Sequence, residues 1–219
     1  MDADAHNLSY WATVKQEAML VAQMYPGDEF LSRVVPGTSV LDLGCGTGVI
    51  TRWLAGKGYR MIGVDINEAA IQEAMTQDAL NSYVLADITD ALPYPDNSFD
   101  AIVLTYVLVS MIKHEVASAV ARECVRLIRP GGYVWLCEAL YSPEYAKRYE
   151  RGFSETGMRN VAVALDEVGD VKRFIKHYEP SEIDDLFHPL TRVYDENKTI
   201  RSSGSGMEVV STVRMYQKV

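Results

Sequence analysis

Short apolar runs alternate with amphipathic segments through residues 39–137. The run at 101–104 is apolar at every position, which is typical of a central strand buried on both faces. Between about His114 and Ile128, apolar residues instead recur at near-helical intervals. Five such runs separated by helices predict a parallel α/β sheet with right-handed crossovers. The predicted strands begin at Ser39, Tyr59, Ser82, Ala101 and Tyr133.

The pattern differs at the two ends of the chain. The spacing of apolar residues predicts one amphipathic helix over 7–25, ended by Pro26 and Gly27. From 142 to about 180 the periodicity weakens into helical stretches rich in Arg, Glu and Tyr, and no strand is predicted there. Two extended stretches follow, at about 191–199 and 207–218. We expect these two stretches to complete the sheet.

The boundary between the first strand and its helix is rich in glycine. Asp42 stands near the strand end, and Gly44, Gly46 and Gly48 follow at every second position. Glycines let the backbone turn sharply and approach a ligand closely, and the following helix directs its N-terminal N–H groups at the turn. A small molecule is therefore expected here. A dinucleotide fingerprint would need Gly or Ala where Val49 stands, and no P-loop Gly-Lys-Ser/Thr follows.

Polar side chains stand at the ends of the other predicted strands. Asp65 ends the second strand about 20 residues after Gly44, where a nucleoside cofactor commonly finds a carboxylate for its ribose hydroxyls. Asp87, Thr105 and Glu138 follow the third, fourth and fifth strands. The carboxyl ends of parallel strands meet at one edge of the sheet, and an open α/β sheet binds ligands there. We expect a nucleoside-binding pocket at this edge.

These segments together resemble the class I S-adenosylmethionine-dependent methyltransferases. The resemblance covers about residues 38–140. It implies a Rossmann-like α/β fold with a mostly parallel seven-stranded sheet, an antiparallel last strand, helices on both faces and an N-terminal helical lid. It also implies S-adenosyl-L-methionine as cofactor and S-adenosyl-L-homocysteine as product. The features that carry it are the glycine turn after Asp42, the strand-end acids Asp65 and Asp87, the turn from Pro93 to Asp100, and Pro130-Gly131-Gly132 before the fifth strand.

The resemblance implies one methyltransferase domain with four parts. Residues 1–35 would form the N-terminal helical lid and 36–140 the cofactor-binding core. Residues 141–188 would be a variable helical insertion on the substrate side, and 189–219 the closing strands.

The resemblance also implies which residues hold the cofactor. Asp42 would attract the cationic amino-acid end, Asp65 would bind the ribose and Asp87 the adenine amino group. Thr105 and Tyr106 would line the methionine part. The predicted cofactor residues are Tyr10, Asp42, Gly44, Cys45, Gly46, Gly48, Asp65, Ile66, Ala86, Asp87, Ile88, Thr105 and Tyr106. The predicted substrate residues are Trp11, Tyr106 and Tyr141.

Composition narrows the expected partners. The net charge of −9 disfavours nucleic acid, because nucleic-acid binders gain much of their affinity by neutralising phosphates with Lys and Arg. We therefore expect a small-molecule methyl acceptor. No apolar run approaches the length of a membrane span and the first residues lack a signal core, so a cytoplasmic location without membrane contact is expected. The oligomeric state stays open, a homodimer included.

Catalytic residues are harder to predict than the cofactor site. Methyl transfer from a sulfonium is an in-line displacement that can depend largely on alignment, and a base is needed only if the acceptor must lose a proton. The candidates near the expected cleft are His114, Glu138 and His177. No metal site is predicted, because the histidines are scattered and the three cysteines, expected to be buried free thiols, show no C-x-x-C spacing.

Three functions stay open. The favoured one is methyl transfer to an O or N atom of a small metabolite. A Rossmann oxidoreductase using NAD(P) would share the sheet and Asp65, although it would gain nothing from Asp42. A non-catalytic scaffold that binds S-adenosylmethionine would share the whole cofactor site and use its insertion to dock a partner.

Overall fold

A seven-stranded sheet forms the centre of the protein, which a computed structural model describes over residues 2–14, 24–201 and 208–219. The strands are β1 (Ser39–Leu43), β2 (Arg60–Asp65), β3 (Ser82–Leu85), β4 (Phe99–Thr105), β5 (Ile128–Ala139), β6 (Val161–Leu165), β7 (Val171–Lys176), β8 (Thr191–Arg201) and β9 (Glu208–Gln217). The order in the large sheet is β3-β2-β1-β4-β5-β9-β8. β9 pairs antiparallel with both β5 and β8, and the other strand pairs within this seven-stranded sheet are parallel. The predicted sheet, including its antiparallel last strand, is confirmed.

Helices cover both faces of this sheet. They are α1 (Ala3–Thr13), α2 (Asp28–Arg33), α3 (Val49–Ala55), α4 (Glu68–Gln77), α5 (His114–Leu127), α6 (Ala146–Thr156) and α7 (Pro180–Leu186). β4 is buried on both sides, as its apolar sequence predicts: Ile102 and Leu104 belong to the core that contains α5, and Ala101 and Val103 to the core that contains α3. The strand order reverses between β1 and β4, so their carboxyl ends diverge into a crevice.

The segment predicted to be helical without a strand is only partly so. α6 is followed by β6 and β7, which pair antiparallel as a separate two-stranded sheet. β6 is apolar at every position, and the connecting turn contains Gly169 at a φ of +89°. The prediction of a helical insertion over 141–188 is therefore wrong. Two β-rich runs around a turn with glycine are a hairpin signal, and this signal was present in the sequence. α6 approaches this hairpin closely, since a Cβ on Gly152 would lie 1.8 Å from the Val161 carbonyl oxygen.

The N-terminal helix begins earlier than predicted, at Ala3. Its buried residues are Ala3 and Asn7, whereas Leu8, expected on the packed face, is 42% exposed. The Asn7 side chain pairs with the backbone of Phe174 on β7, donating to the carbonyl at 3.0 Å and accepting from the N–H at 2.9 Å. A buried amide therefore attaches α1 to the hairpin. The predicted continuation of the helix over 15–23 lies outside the described residues.

Candidate functional site

A cavity of about 830 Å³ lies at the carboxyl ends of β1, β2 and β4, with α1 and the β6–β7 hairpin forming its opposite wall. Its size is within the range of about 300–1,000 Å³ usual for small-molecule sites. The predicted residues that line it are Tyr10, Trp11, Asp42, Gly44, Cys45, Gly46, Asp65, Ile66, Asp87, Ile88, Thr105, Tyr106 and His177. The predicted residues that lie outside its wall are Gly48, Ala86, His114, Glu138 and Tyr141.

The glycine turn after β1 is shaped by contacts that exclude larger residues. Gly44 has a φ of +70°, and a Cβ there would lie 2.7 Å from Cγ2 of Val107. Gly48 has a φ of +78° at the N-cap of α3, where a Cβ would meet the Tyr83 ring at 2.7 Å. Gly44 therefore keeps the turn close to the loop after β4. Gly48 serves the junction between strand and helix rather than the cavity wall.

Asp65 joins the end of β2 to this turn. Its Oδ2 accepts a hydrogen bond from the Gly46 N–H at 2.8 Å, and its Oδ1 accepts one from the Asn67 N–H at 2.9 Å. Burial raises the pKa of Asp65, while these N–H donors lower it. Each carboxylate oxygen has a second lone pair, so both can still accept from a ligand hydroxyl.

Asp42 lies beside Asp65 and is 2% exposed. The pKa of Asp42 is raised to about 7, mainly by burial and also by the charge of Asp65. The Thr51 hydroxyl, which donates to Oδ2 at 2.6 Å, acts in the opposite direction and lowers this pKa. Neither acid forms an ion pair with a Lys or Arg within the described part of the chain. Two buried acids of this kind favour a cation in the cavity.

Two further polar groups on the wall fit a polar ligand. The Thr105 hydroxyl and the Trp11 indole N–H are both buried without a hydrogen-bond partner among the described residues. Buried polar groups are normally hydrogen-bonded, so a bound molecule is the natural partner for these two. Asp87 uses Oδ1 to accept from the N–H and hydroxyl of Thr89, at 2.9 and 2.7 Å.

Tyr106 lies at the strained turn after β4. Its φ is +55°, which is uncommon for a residue with a Cβ. The Tyr106 N–H donates to the Cys137 carbonyl at 2.8 Å, and its hydroxyl is hydrogen-bonded to the Ser211 hydroxyl on β9. The ring therefore lines the cavity with its hydroxyl directed at the sheet. Strain held by surrounding contacts is common at functional sites.

Glu138 stabilises the same turn through hydrogen bonds to its backbone. Its side chain is fully buried, and its carboxylate accepts from the N–H groups of Val107, Leu108 and Val109 at 2.9, 2.8 and 3.2 Å. Burial raises the pKa of Glu138 to about 8, against these three donors, which lower it. The structure thus gives Glu138 a positioning role rather than a place on the cavity wall.

The other two predicted catalytic residues lie in very different surroundings. His114 is exposed at the first position of α5, outside the cavity wall. His177 is 4% exposed, lines the cavity and contacts the rings of Tyr145 and Tyr149 edge-on. Tyr141, a predicted substrate residue, stacks on the outer side of Tyr149 and is 38% exposed. Only His177 is placed to meet a ligand.

The ring of His177 is hydrogen-bonded through Nδ1 to the Tyr149 hydroxyl. The Ser142 N–H donates to the Tyr149 hydroxyl at 3.3 Å, and that hydroxyl lies 2.7 Å from His177 Nδ1. The Tyr149 hydroxyl can then donate to Nδ1, which leaves the proton of the neutral ring on Nε2. The pKa of His177 is lowered to about 4, mainly by burial and also by the charges of Arg148 and Lys176. In this form His177 offers a ligand a hydrogen-bond donor rather than a base.

This burial predicts a pH-dependent stability difference between the wild type and the His177→Gln variant. The unfolded chain takes up a proton on His177 near pH 6.5, whereas the folded protein does so only near pH 4. Acidification across this interval therefore favours the unfolded wild-type chain, by roughly 3 kcal/mol at full effect. Urea unfolding at pH 7 and pH 4.5 should show a larger loss for the wild type than for the variant. His188→Gln, at an exposed histidine, should behave like the wild type, and equal losses in all three proteins would contradict the shift.

Three basic residues of the cavity wall were not predicted from the sequence. Arg148 lies on α6, and Lys172 and Arg173 lie on β7. They share no motif, and the hairpin that carries two of them was itself missed. The two β-rich runs on either side of the turn from Asp166 to Asp170 are the signal that would have placed Lys172 and Arg173 on a strand.

Comparison with known proteins identifies the domain. A family model described as a methyltransferase domain matches residues 41–136. A solved S-adenosylmethionine-dependent methyltransferase from Methanosarcina mazei superposes with a TM-score of 0.83 at 26% identity, covering 89% of this chain and 99% of that one. Residues 41–136 therefore match a methyltransferase domain, and most of the chain is similar to a solved S-adenosylmethionine-dependent methyltransferase. The predicted family, Rossmann-like fold and cofactor are thereby confirmed, and the nicotinamide oxidoreductase is set aside.

Two further similarities are informative. A ubiquinone/menaquinone biosynthesis C-methyltransferase from Hydrogenovibrio crunogenus is 34% identical over 130 residues, which are 55% of this chain and 50% of that protein. The magnesium protoporphyrin IX methyltransferase of Synechocystis, solved with bound S-adenosylhomocysteine, shares the fold at a TM-score of 0.62 and 19% identity over 84% of this chain and 75% of that one. The chain spans about half the length of the curated relatives it matches.

None of these similarities bears on where the protein is located in the cell, so the cytoplasmic location stays a prediction. Throughout residues 2–14, 24–201 and 208–219, no helix has both the length and the apolar character needed to cross a membrane.

Proposed function

We propose that this methyltransferase transfers the methyl group of S-adenosylmethionine to an O or N atom of a small-molecule metabolite in the cytoplasm. The observation that carries the proposal is the pair of buried acids, Asp42 and Asp65, which lack a cationic partner among the described residues and line a single large cavity. The bound cofactor would supply an electrophilic methyl group on a positively charged sulfur. The same cavity extends to the hairpin, which leaves room for a second molecule.

The residues of this chain divide the work between the two molecules. Asp42 would stabilise the ammonium group of the cofactor, and Asp65 would accept hydrogen bonds from its ribose hydroxyls. Thr105 and Trp11 offer buried polar atoms that otherwise lack partners in the described part of the structure. The substrate would lie between α1 and the hairpin, beside His177. Rate acceleration would come mainly from holding the acceptor atom in line with the methyl group.

A carbon acceptor is the second candidate. It is favoured by the Hydrogenovibrio crunogenus relative, which is named a C-methyltransferase. Against it stands the lowered pKa of His177, about 4, which makes this side chain a weak base for removing a proton from carbon. An acceptor O or N with a free lone pair needs alignment more than a base.

Two measurements test the proposal. Calorimetric titration with S-adenosylhomocysteine should show one site, and absence of binding would overturn the assignment. Incubation with S-adenosylmethionine carrying a ¹³C-labelled methyl group and a deproteinised metabolite extract should then yield a labelled small molecule. The carbon chemical shift of the transferred methyl distinguishes O, N and C acceptors. Tight binding with no labelled product and a co-purifying protein would instead favour the non-catalytic scaffold.

A further inference from the structure

The charges on the cavity wall are distributed unevenly. The acids Asp42, Asp65 and Asp87 lie at the strand ends, and the basic residues Arg148, Lys172 and Arg173 lie on α6 and the hairpin. One side of the cavity is therefore negative and suits the cationic cofactor. The opposite side, which we call the basic wall, consists of Arg148, Lys172 and Arg173.

The basic wall has no acidic partner in the described structure. None of its three residues forms an ion pair within residues 2–14, 24–201 and 208–219. The wall acid Asp4 forms no ion pair with any of them, and its carboxylate accepts from the backbone N–H groups of Ile112 and Lys113, at 2.6 and 3.1 Å. Positive charge at the edge of a cavity without a protein counter-ion calls for one from a ligand.

Arg173 is the member of this wall most removed from water. Its guanidinium lies 4.9 Å from the centre of the Trp11 ring and 5.7 Å from that of Tyr10. Burial lowers the pKa of Arg173, with no carboxylate to offset the loss of solvent. Aromatic packing holds the planar group in place, and no side-chain hydrogen bond of Arg173 is found among the described residues. A guanidinium held in this way suits a planar or tetrahedral anion.

Arg148 and Lys172 extend the positive field around Arg173. The Arg148 guanidinium lies 5.9 Å from the centre of the Tyr145 ring, and the Lys172 ammonium 5.8 Å from that of Tyr10. Both side chains are exposed, so each can contact an incoming molecule while that molecule is still hydrated. Charges of one sign lining a cleft raise the local concentration of an oppositely charged substrate.

We propose that the methyl acceptor carries an anionic group, a carboxylate or a phosphate, bound by Arg173 on the basic wall. This inference rests on the proposed function, because it assigns the acceptor to the half of the cavity that the cofactor does not fill. The cofactor also carries a carboxylate, but three basic residues on two separate elements exceed what that single group requires. The aromatic side chains Tyr10, Trp11 and Tyr145 around the basic wall favour an acceptor with a flat, apolar body.

The test compares three small probes that differ in charge. Benzoate, phenyl phosphate and neutral benzamide are titrated into protein already saturated with S-adenosylhomocysteine. We expect at least one anion to bind about tenfold or more tightly than benzamide, and the tighter of the two identifies the preferred anion. The advantage should be lost in Arg173→Gln and partly kept in Arg173→Lys, because lysine retains the charge but not the planar fork. Arg159→Gln, at an exposed arginine outside the cavity, should match the wild type.

Affinity for S-adenosylhomocysteine separates the possible outcomes. Unchanged affinity in Arg173→Gln, together with loss of the anion advantage, supports an anionic acceptor and shows that the variant is folded. Weaker cofactor binding in Arg173→Gln would mean that Arg173 holds the cofactor carboxylate, and the inference would be overturned. Anions that bind no better than benzamide to the wild type would also overturn it, with the proposed function intact. A wild type that does not bind S-adenosylhomocysteine would defeat the proposed function first, and the inference with it.

Discussion

Replacing Asp65 by alanine is expected to weaken S-adenosylhomocysteine binding by about 1–3 kcal/mol, or roughly 5- to 150-fold. The carboxylate is the predicted acceptor for the two ribose hydroxyls, which would be left unpaired in a buried site. It also accepts from the Gly46 N–H at 2.8 Å, so its removal loosens the glycine turn against which the cofactor would lie. Calorimetry on the purified variant measures the loss directly.

Two variants control this experiment. Asp65→Asn keeps the size and one acceptor oxygen but removes the charge, and we expect a smaller loss of affinity. Asp90→Ala removes an exposed acid outside the cavity and should leave binding unchanged. Because burial raises the pKa of both Asp65 and Asp42, affinity for the cofactor product should rise with pH in the wild type, and Asp65→Asn should lose only the part of this dependence that Asp65 contributes. Full affinity in Asp65→Ala would refute the ribose assignment.

Replacing Glu138 by alanine is expected to lower the free energy of unfolding by about 3–5 kcal/mol, the combined cost of a buried void and unpaired N–H groups. Its carboxylate is the acceptor for three consecutive backbone N–H groups, those of residues 107–109. The side chain is fully buried, so bulk solvent does not reach these N–H groups. A loss of this size is a large part of the roughly 5–15 kcal/mol that stabilises a typical domain. Urea unfolding at constant pH provides the measurement.

Glu138→Gln distinguishes the hydrogen bonds from the void. Its oxygen can still accept from Val107 and Leu108, while its amide group would face the Val109 N–H as a second donor. We expect a loss of about 1–3 kcal/mol, smaller than for alanine. Glu155→Ala, at an exposed position of α6, should change stability by no more than about 0.5 kcal/mol. If Glu138→Ala were as stable as the wild type, the three N–H groups would have to find other acceptors, and Glu138 would not position the turn.

The side of the cavity at the strand ends could be predicted from the sequence because each of its residues is tied to a local motif. Asp42, Gly44, Asp65 and Asp87 stand at the ends of short apolar runs, and parallel strands bring those ends to one edge of the sheet whatever else the chain does. The buried state of Cys45, Cys124 and Cys137 followed in the same way from the apolar segments that contain them.

The order of the final strands could be predicted only through the family resemblance. β9 enters between β5 and β8, and the apolar pattern of the last two stretches is compatible with several other orders. The N-terminal helix differs from its prediction for another reason. It is attached by the Asn7 amide rather than by an apolar face, and hydrophobic periodicity carries no information about such a contact.

The sequence by itself thus determined the family resemblance, the sheet and the cavity edge at the strand ends, because these follow from strand ends and turn residues close together in the chain. Only the tertiary structure decided the surroundings of the other site residues. It placed Arg173 against Trp11, joined His177 to Tyr149 and turned Glu138 towards the backbone of the loop after β4. Each of these depends on segments distant in sequence meeting in space, and the charge, tautomer and burial that determine their chemistry exist only after that meeting.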